Sequence, residues 1–269
     1  MIRDITIGQY YPSDSVIHRL DPRVKLFATM IYMITLFVYK GLAGLGLITL
    51  FLFGVIQLSK VPLGYMFKGL RAIMVLLLFT SFFNLTMTPG AVTYWHFGIF
   101  QVTDTGVVNA VTIAIRLVYL ILGTSLMTLT TTPNQLTDAL EQSLRPLNKI
   151  HIPVHAIAMM MSIALRFIPI LVEETDKIMK AQMARGADFE NGNILQRAKN
   201  MVPLLVPLFV SAFRRADDLA MAMEARCYNG GEGRTRMKPL RYEGRDRIAY
   251  VVVIVFFVLV ILFRIYSKQ

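Results

Sequence analysis

Thirteen apolar residues follow one another without interruption from Val251 to Phe263. Extended to Ile248 and Ile265, this run is long enough for an α-helix to cross the roughly 30 Å hydrocarbon core of a bilayer. A water-filled fold has no use for such a segment at its surface, so the run places the chain among membrane proteins. Four further segments agree. Val24 to Leu58 is a long apolar stretch broken at Lys40-Gly41, which divides it into spans near 24–39 and 42–58. A third span is predicted over Leu70–Met87 and a fourth over Val107–Leu129. With 55% hydrophobic and only 17% charged residues, the composition points the same way. No cleavable leader is visible ahead of the first span, which would itself serve as the targeting signal.

The cations set the orientation. Arg3, Arg19, Arg23 and Lys25 crowd the N-terminal arm, while residues 88–106 hold no lysine or arginine. Residues 131–247 hold 17 of the 28 basic residues against 13 acidic ones. Five spans in this pattern put the N-terminus and the 131–247 segment in the cytoplasm, and the 88–106 loop and C-terminus outside. Arg264 and Lys268 run against that assignment. The outer loop, with Pro89-Gly90 ahead of Val92 to Phe100, reads as a small hairpin whose aromatics form an interfacial belt, with a ligand-binding lip as the alternative.

Between the fourth and fifth spans no unbroken apolar run of spanning length is expected. Three helices are. Thr132-Pro133-Asn134 is a helix start, and Asn134–Leu147 places Leu136, Leu140, Leu144 and Leu147 on one stripe. A longer helix covers Pro153–Arg185 and a third Ile194–Tyr228, with Pro203 and Pro207 early in it. Both long helices end alike, in Ala184-Arg185-Gly186 and Ala225-Arg226-Cys227. Arginine at a helix C-terminus is favoured by the dipole, by about 0.3–1 kcal/mol. The repetition also suits a paired docking device, since the planar guanidinium grips a carboxylate at two points. Ala212, Ala216 and Ala220 recur every fourth residue, a spacing that lets helices approach closely. Methionines are plentiful, among them Met159 and Met160, and suit either core filling or a surface on which a partner slides.

The sequence offers little for catalysis. His-Glu-x-x-His, a serine elbow and a Gly-x-x-x-x-Gly-Lys-Ser/Thr phosphate loop are all missing. Gly230-Gly231-Glu232-Gly233-Arg234 follows a helix and reads as a linker. His151 and His155 share a helical spacing but lack a third ligand nearby. Cys227 is the only cysteine, so no internal disulfide forms. Arg116, deep in the fourth span, is a functional candidate by the cost of its burial, with snorkelling as the alternative. Nucleic-acid binding is not expected, because the cations gather at helix ends and beside the spans. An intramembrane enzyme and a self-contained transporter are the competing classes.

Three stretches carry a resemblance: Ser15 to Lys25, Leu165-Arg166-Phe167-Ile168-Pro169-Ile170 leading into Ala181–Gly186, and Pro203 to Phe209 running through Arg214–Ala220 to Tyr228. In these the chain resembles the transmembrane T components (EcfT) of energy-coupling factor transporters, prokaryotic vitamin and trace-metal importers of the ABC class. The resemblance implies an all-α, polytopic protein of the cell membrane. About five transmembrane helices would flank a cytoplasmic domain of long crossed coupling helices, divided as 1–130, 131–247 and 248–269. It implies two cytoplasmic ABC ATPases as partners, docked on Ala184, Arg185, Gly186, Ala225, Arg226 and Cys227, the last standing where the family has glycine. A small membrane-embedded S component would capture the substrate, and Ala212, Ala216, Ala220, Met159 and Met160 are the residues expected to pack helices or meet it. ATP and Mg would sit on the ATPases, with no cofactor and no enzymatic activity on this chain.

Overall fold

The computed structural model describes residues 10–38, 42–90, 93–97, 100–189, 193–230 and 239–266. Eight α-helices are formed among these residues: α1 (Pro22–Val38), α2 (Leu42–Ser59), α3 (Leu63–Met87), α4 (Asp104–Thr130), α5 (Pro133–Leu144), α6 (Val154–Ala184), α7 (Ile194–Glu224) and α8 (Gly244–Tyr266). A two-stranded antiparallel hairpin, β1 (Thr93–Phe97) and β2 (Phe100–Thr103), joins α3 to α4. A 3-10 turn, Arg145–Ile150, joins α5 to α6. The protein is an all-α membrane protein, and the hairpin expected between the third and fourth spans forms. The Lys40-Gly41 break, the side chains of the aromatic loop, and Gly231 to Arg234 of the linker lie outside the described residues.

The chain divides into two compact units. One contains Gly8–Ala139 with Leu240–Gln269, the other Leu140–Pro239. In the first, α3 and α4 form an antiparallel pair, and α1 packs on α4 and α8. Tyr32 and Leu36 of α1, Ile48 and Leu52 of α2, and Phe256 and Val260 of α8 share one core. Phe51 stacks on Phe256 with ring centres 4.0 Å apart. Gly123 of α4 leaves room for the Tyr32 ring, which a Cβ there would overlap. The Tyr32 hydroxyl then donates to the Tyr119 carbonyl at 3.0 Å. Outward-facing residues such as Leu50 (77% exposed) and Val75 (79%) are apolar, as expected of surfaces that face lipid.

By length and apolarity, α4, α6 and α8 qualify as spans. The segments Leu63–Arg71 and Ile73–Met87 of α3 meet at 63° and qualify only together. The sequence reading began this span at Leu70 and missed its first seven residues and the bend. The 17 described residues of α1 rise about 26 Å, and residues 39–41 lie outside the described residues. No unbroken apolar run of spanning length occurs between 131 and 247, as expected, yet α6 counts as a candidate span by length and mean composition. One arginine, Arg166, does not interrupt a helix, and the window around it is apolar enough to cross. Two smaller corrections concern helix faces and ends. In α5 the buried residues are Thr137 and Ala139, while Leu144 is exposed, so the leucine stripe is not its buried face. That helix stops at Leu144, one residue before Arg145-Pro146 turn into the 3-10 segment. α7 ends at Glu224, four residues before the expected limit, because Cys227 has left the helical region.

Candidate functional site

The two helix ends singled out by their sequence close in the same way. At the end of α6 the Gly186 N–H donates to the Met183 carbonyl at 2.9 Å and the Ala187 N–H to the Gln182 carbonyl at 3.0 Å. At the end of α7 the Cys227 N–H donates to Glu224 at 2.8 Å and the Tyr228 N–H to Met223 at 3.0 Å. This crossed pair of bonds is the Schellman closure, which needs a left-handed residue just past the helix. Gly186 supplies it with φ 89° and Cys227 with φ 55°. Glycine adopts that conformation freely, whereas cysteine carries a steric cost of about 1–2 kcal/mol. The departure from glycine at position 227 thus leaves the shape of the cap intact.

Both caps face solvent. Ala184, Arg185 and Gly186 are exposed, as are Ala225, Arg226 and Cys227. Neither Arg185 nor Arg226 makes a side-chain hydrogen bond or ion pair within the described residues. Each guanidinium is exposed at a helix C-terminus, where the local carbonyl dipoles favour a cation, and its five donors have no partner among the described residues.

α6 and α7 lie antiparallel, as their contacts show. The Gln182 side-chain amide donates to the Pro203 carbonyl at 3.3 Å. Farther along, the Ser211 hydroxyl donates to Glu174 Oε1 at 2.6 Å and Arg215 to Glu174 Oε2 at 2.7 Å. Beyond these, Ile163 and Phe167 share a groove of about 270 Å³ with Ala216, Leu219, Ala220 and Met223. The two caps consequently point to opposite ends of the helix pair. Arg185 is eleven residues past Glu174, and Arg226 eleven past Arg215, so the rise of each arm is about 16 Å and the guanidinium-bearing turns stand roughly 33 Å apart.

The alanine stripe is placed at this crossing. Ala212 is half-buried between the helices, and Ala216 and Ala220 are exposed on the wall of the groove. Met159 is half-buried and Met160 is 59% exposed, both on the first half of α6. The structure does not gather the histidines. His151 sits exposed at φ 61° past the 3-10 turn, while His155 Nδ1 pairs with Glu141 at 3.0 Å. Among the described residues no cluster of three or more potential metal ligands occurs. Arg116 is half-buried in α4, away from both caps in sequence.

Sequence reasoning missed two polar constructions. Glu174 with Ser211 and Arg215 is the first; partners on different helices leave no local pattern. The second joins the starts of α1 and α8 to the end of α4. Asp246, 2% exposed, accepts from the Asp21 N–H at 2.9 Å and from the Glu243 N–H at 2.7 Å. The Asp21 carboxylate holds Arg23 at 2.8 Å, and the Arg23 guanidinium lies 3.8 Å over the Tyr242 ring. Lys25 Nζ donates to the carbonyls of His18 and Thr130 at 3.1 and 2.8 Å. His18 Nε2 in turn contacts the Tyr11 carbonyl at 3.0 Å, and its Nδ1 the Ser15 hydroxyl at 2.7 Å. Ser15 to Lys25 is the first of the three resembling stretches, so the one available signal for this knot was a motif whose physical purpose the sequence did not reveal.

Comparison with known proteins follows the same lines. A family model described as "Cobalt transport protein" (CbiQ) matches residues 13–237. A protein of Clostridium kluyveri is 55% identical over 269 residues, covering 99% of both chains. One from Bacillus subtilis is 49% identical over 264 residues, covering 98% of this chain and 100% of the relative. One from Lactococcus lactis is 42% identical over 261 residues, covering 97% and 98%. All three are described as "Energy-coupling factor transporter transmembrane protein EcfT". With this similarity running through the spans, both arginine caps and the N-terminal knot, the chain belongs to the family of EcfT transmembrane components of energy-coupling factor transporters.

Proposed function

We propose that the chain couples ATP-driven motion of two cytoplasmic ATPases to a membrane-embedded S component during uptake of a vitamin or other micronutrient. The observation that carries this reading is the pair of equal caps at opposite ends of α6 and α7, each presenting an arginine with no partner among the described residues. Arg185 and Arg226 enter an acidic groove on one ATPase each, with Ala184 and Gly186, or Ala225 and Cys227, letting the groove wall come close. The ATPases bind ATP and Mg; this chain performs no chemistry. Ala212, Ala216 and Ala220 on α7 and Met159 and Met160 on α6 meet the S component, whose contact there is apolar and free to slide. The N-terminus and residues 131–247 lie on the cytoplasmic side, where the basic excess belongs, with the apolar face of α6 turned to the S component instead of crossing the bilayer.

The test is charge reversal in the assembled membrane. Arg185→Glu and Arg226→Glu should each weaken retention of one ATPase, by about 2–5 kcal/mol if the arginine is desolvated in its groove. The double variant should remain in the membrane and lose both ATPases and uptake. Co-purification of both ATPases with the double variant at wild-type yield would discard the docking role.

A further inference from the structure

The turn between α5 and α6 exposes large apolar side chains beside cations, on a backbone that is held in place. Ile150 is 71% exposed, Leu144 41% and Ile152 38%. Arg145 and Lys149 are exposed and make no ion pair within the described residues. The arrangement is built. Pro146 sets the 3-10 turn, the His151 N–H donates to the Asn148 carbonyl at 3.2 Å, and Asn148 Oδ1 accepts from the Val154 N–H at 3.3 Å. No acidic residue occurs from Gln142 to Val172.

We propose that Leu144–Ile152 is a membrane-surface anchor, in which Ile150 and Ile152 enter the headgroup region while Arg145 and Lys149 meet the phosphates of anionic lipids. The charge favours that occupant: cations flanking exposed isoleucines match an anionic, interfacial surface. So does the tether. Only residues 131–144 separate the turn from the last residue of α4. A bilayer already entered by α4 is therefore present at an effective concentration that a diffusing partner does not reach. Farther along the chain, in the first half of α6, Ile157, Met160 and Met161 are exposed as well. This anchor needs only membrane residence and is independent of arginine docking.

The experiment places a photoreactive amino acid at Ile150, or at Asp218 as a control, in the full chain reconstituted in nanodiscs. Lipid adducts are expected at 150 and not at 218. Their yield should rise at least about fivefold when phosphatidylglycerol is mixed into phosphatidylcholine, and fall by about fivefold for each of Arg145→Gln and Lys149→Gln. Absence of lipid adducts at 150, or a yield indifferent to headgroup charge, would overturn the proposal. Adducts to a co-purified ATPase or S component in place of lipid would also overturn it, since the turn would then be a protein interface.

Discussion

Asp246→Ala removes the carboxylate that ties the first and last described helices of the membrane unit. Its two oxygens accept from two different backbone donors, Asp21 N–H and Glu243 N–H. At 2% exposure, water does not replace them without opening the knot. Hydrogen bonds to a charged acceptor contribute about 1.5–3 kcal/mol each, so the alanine variant should lose about 3–5 kcal/mol. Asp246→Asn keeps one acceptor oxygen and should lose about half as much. For a chain of this length, about 2–4 °C accompanies each kcal/mol, so the alanine midpoint should fall by roughly 10 °C. Thermal unfolding of the detergent-purified variants, followed by loss of the monodisperse peak, measures this. An alanine variant matching wild type would refute the reasoning, as would an asparagine variant no better than alanine.

Cys227→Gly should stabilise the α7 cap by about 0.5–1 kcal/mol, read as slower hydrogen exchange at Tyr228, because glycine avoids the cost of a left-handed cysteine. Gly123→Ala should force the Tyr32 ring away from α4 and cost about 1–3 kcal/mol in the same thermal assay, since the added methyl overlaps that ring. The N-terminal arm should loosen in acid. Burial pushes the His18 imidazole below its ordinary 6.5, and nearby Lys25 adds to this. The neutral ring fits, with Nε2–H donating to Tyr11 and Nδ1 accepting from Ser15. A depressed folded pKa means that stability is full above 6.5 and is lost as pH falls towards and through the lower folded value. Limited proteolysis within residues 10–20 should therefore quicken from pH 7.5 to about pH 5.5; a flat profile would remove His18 from that role.

Helix caps were legible in this chain even where the helix limits were not. Thr132 caps α5 as its residue type suggests, accepting from the Gln135 N–H at 3.3 Å while Gln135 returns a bond at 3.1 Å. The arginine-glycine stop of α6 was equally readable, because the left-handed residue announces itself. Cys227 shows the limit: a non-glycine can take the same conformation when the flanking hydrogen bonds hold it. Long-range pairing was not readable. Nothing near Glu174 indicates Arg215, and nothing near Asp21 indicates Asp246, since those partners meet only after the helices pack. α6 was legible as one helix, expected over Pro153–Arg185 and formed over Val154–Ala184, because backbone hydrogen bonding passes through Arg166.

Glu174 and Arg215 are 41 residues apart, and so are Arg185 and Arg226. The members of the first pair touch each other. In two antiparallel helices that is the signature of a local pseudo-dyad, passing between Glu174 and Arg215 and exchanging one cap for the other. The interior of the pair ignores the axis, with Pro169 on α6 and Pro203 and Pro207 on α7 at unrelated positions. Symmetry is thus confined to the ends. A single, asymmetric polypeptide can in this way present the same shape at two places. A load applied alike to both caps would leave the contact at Glu174 as the still point between them.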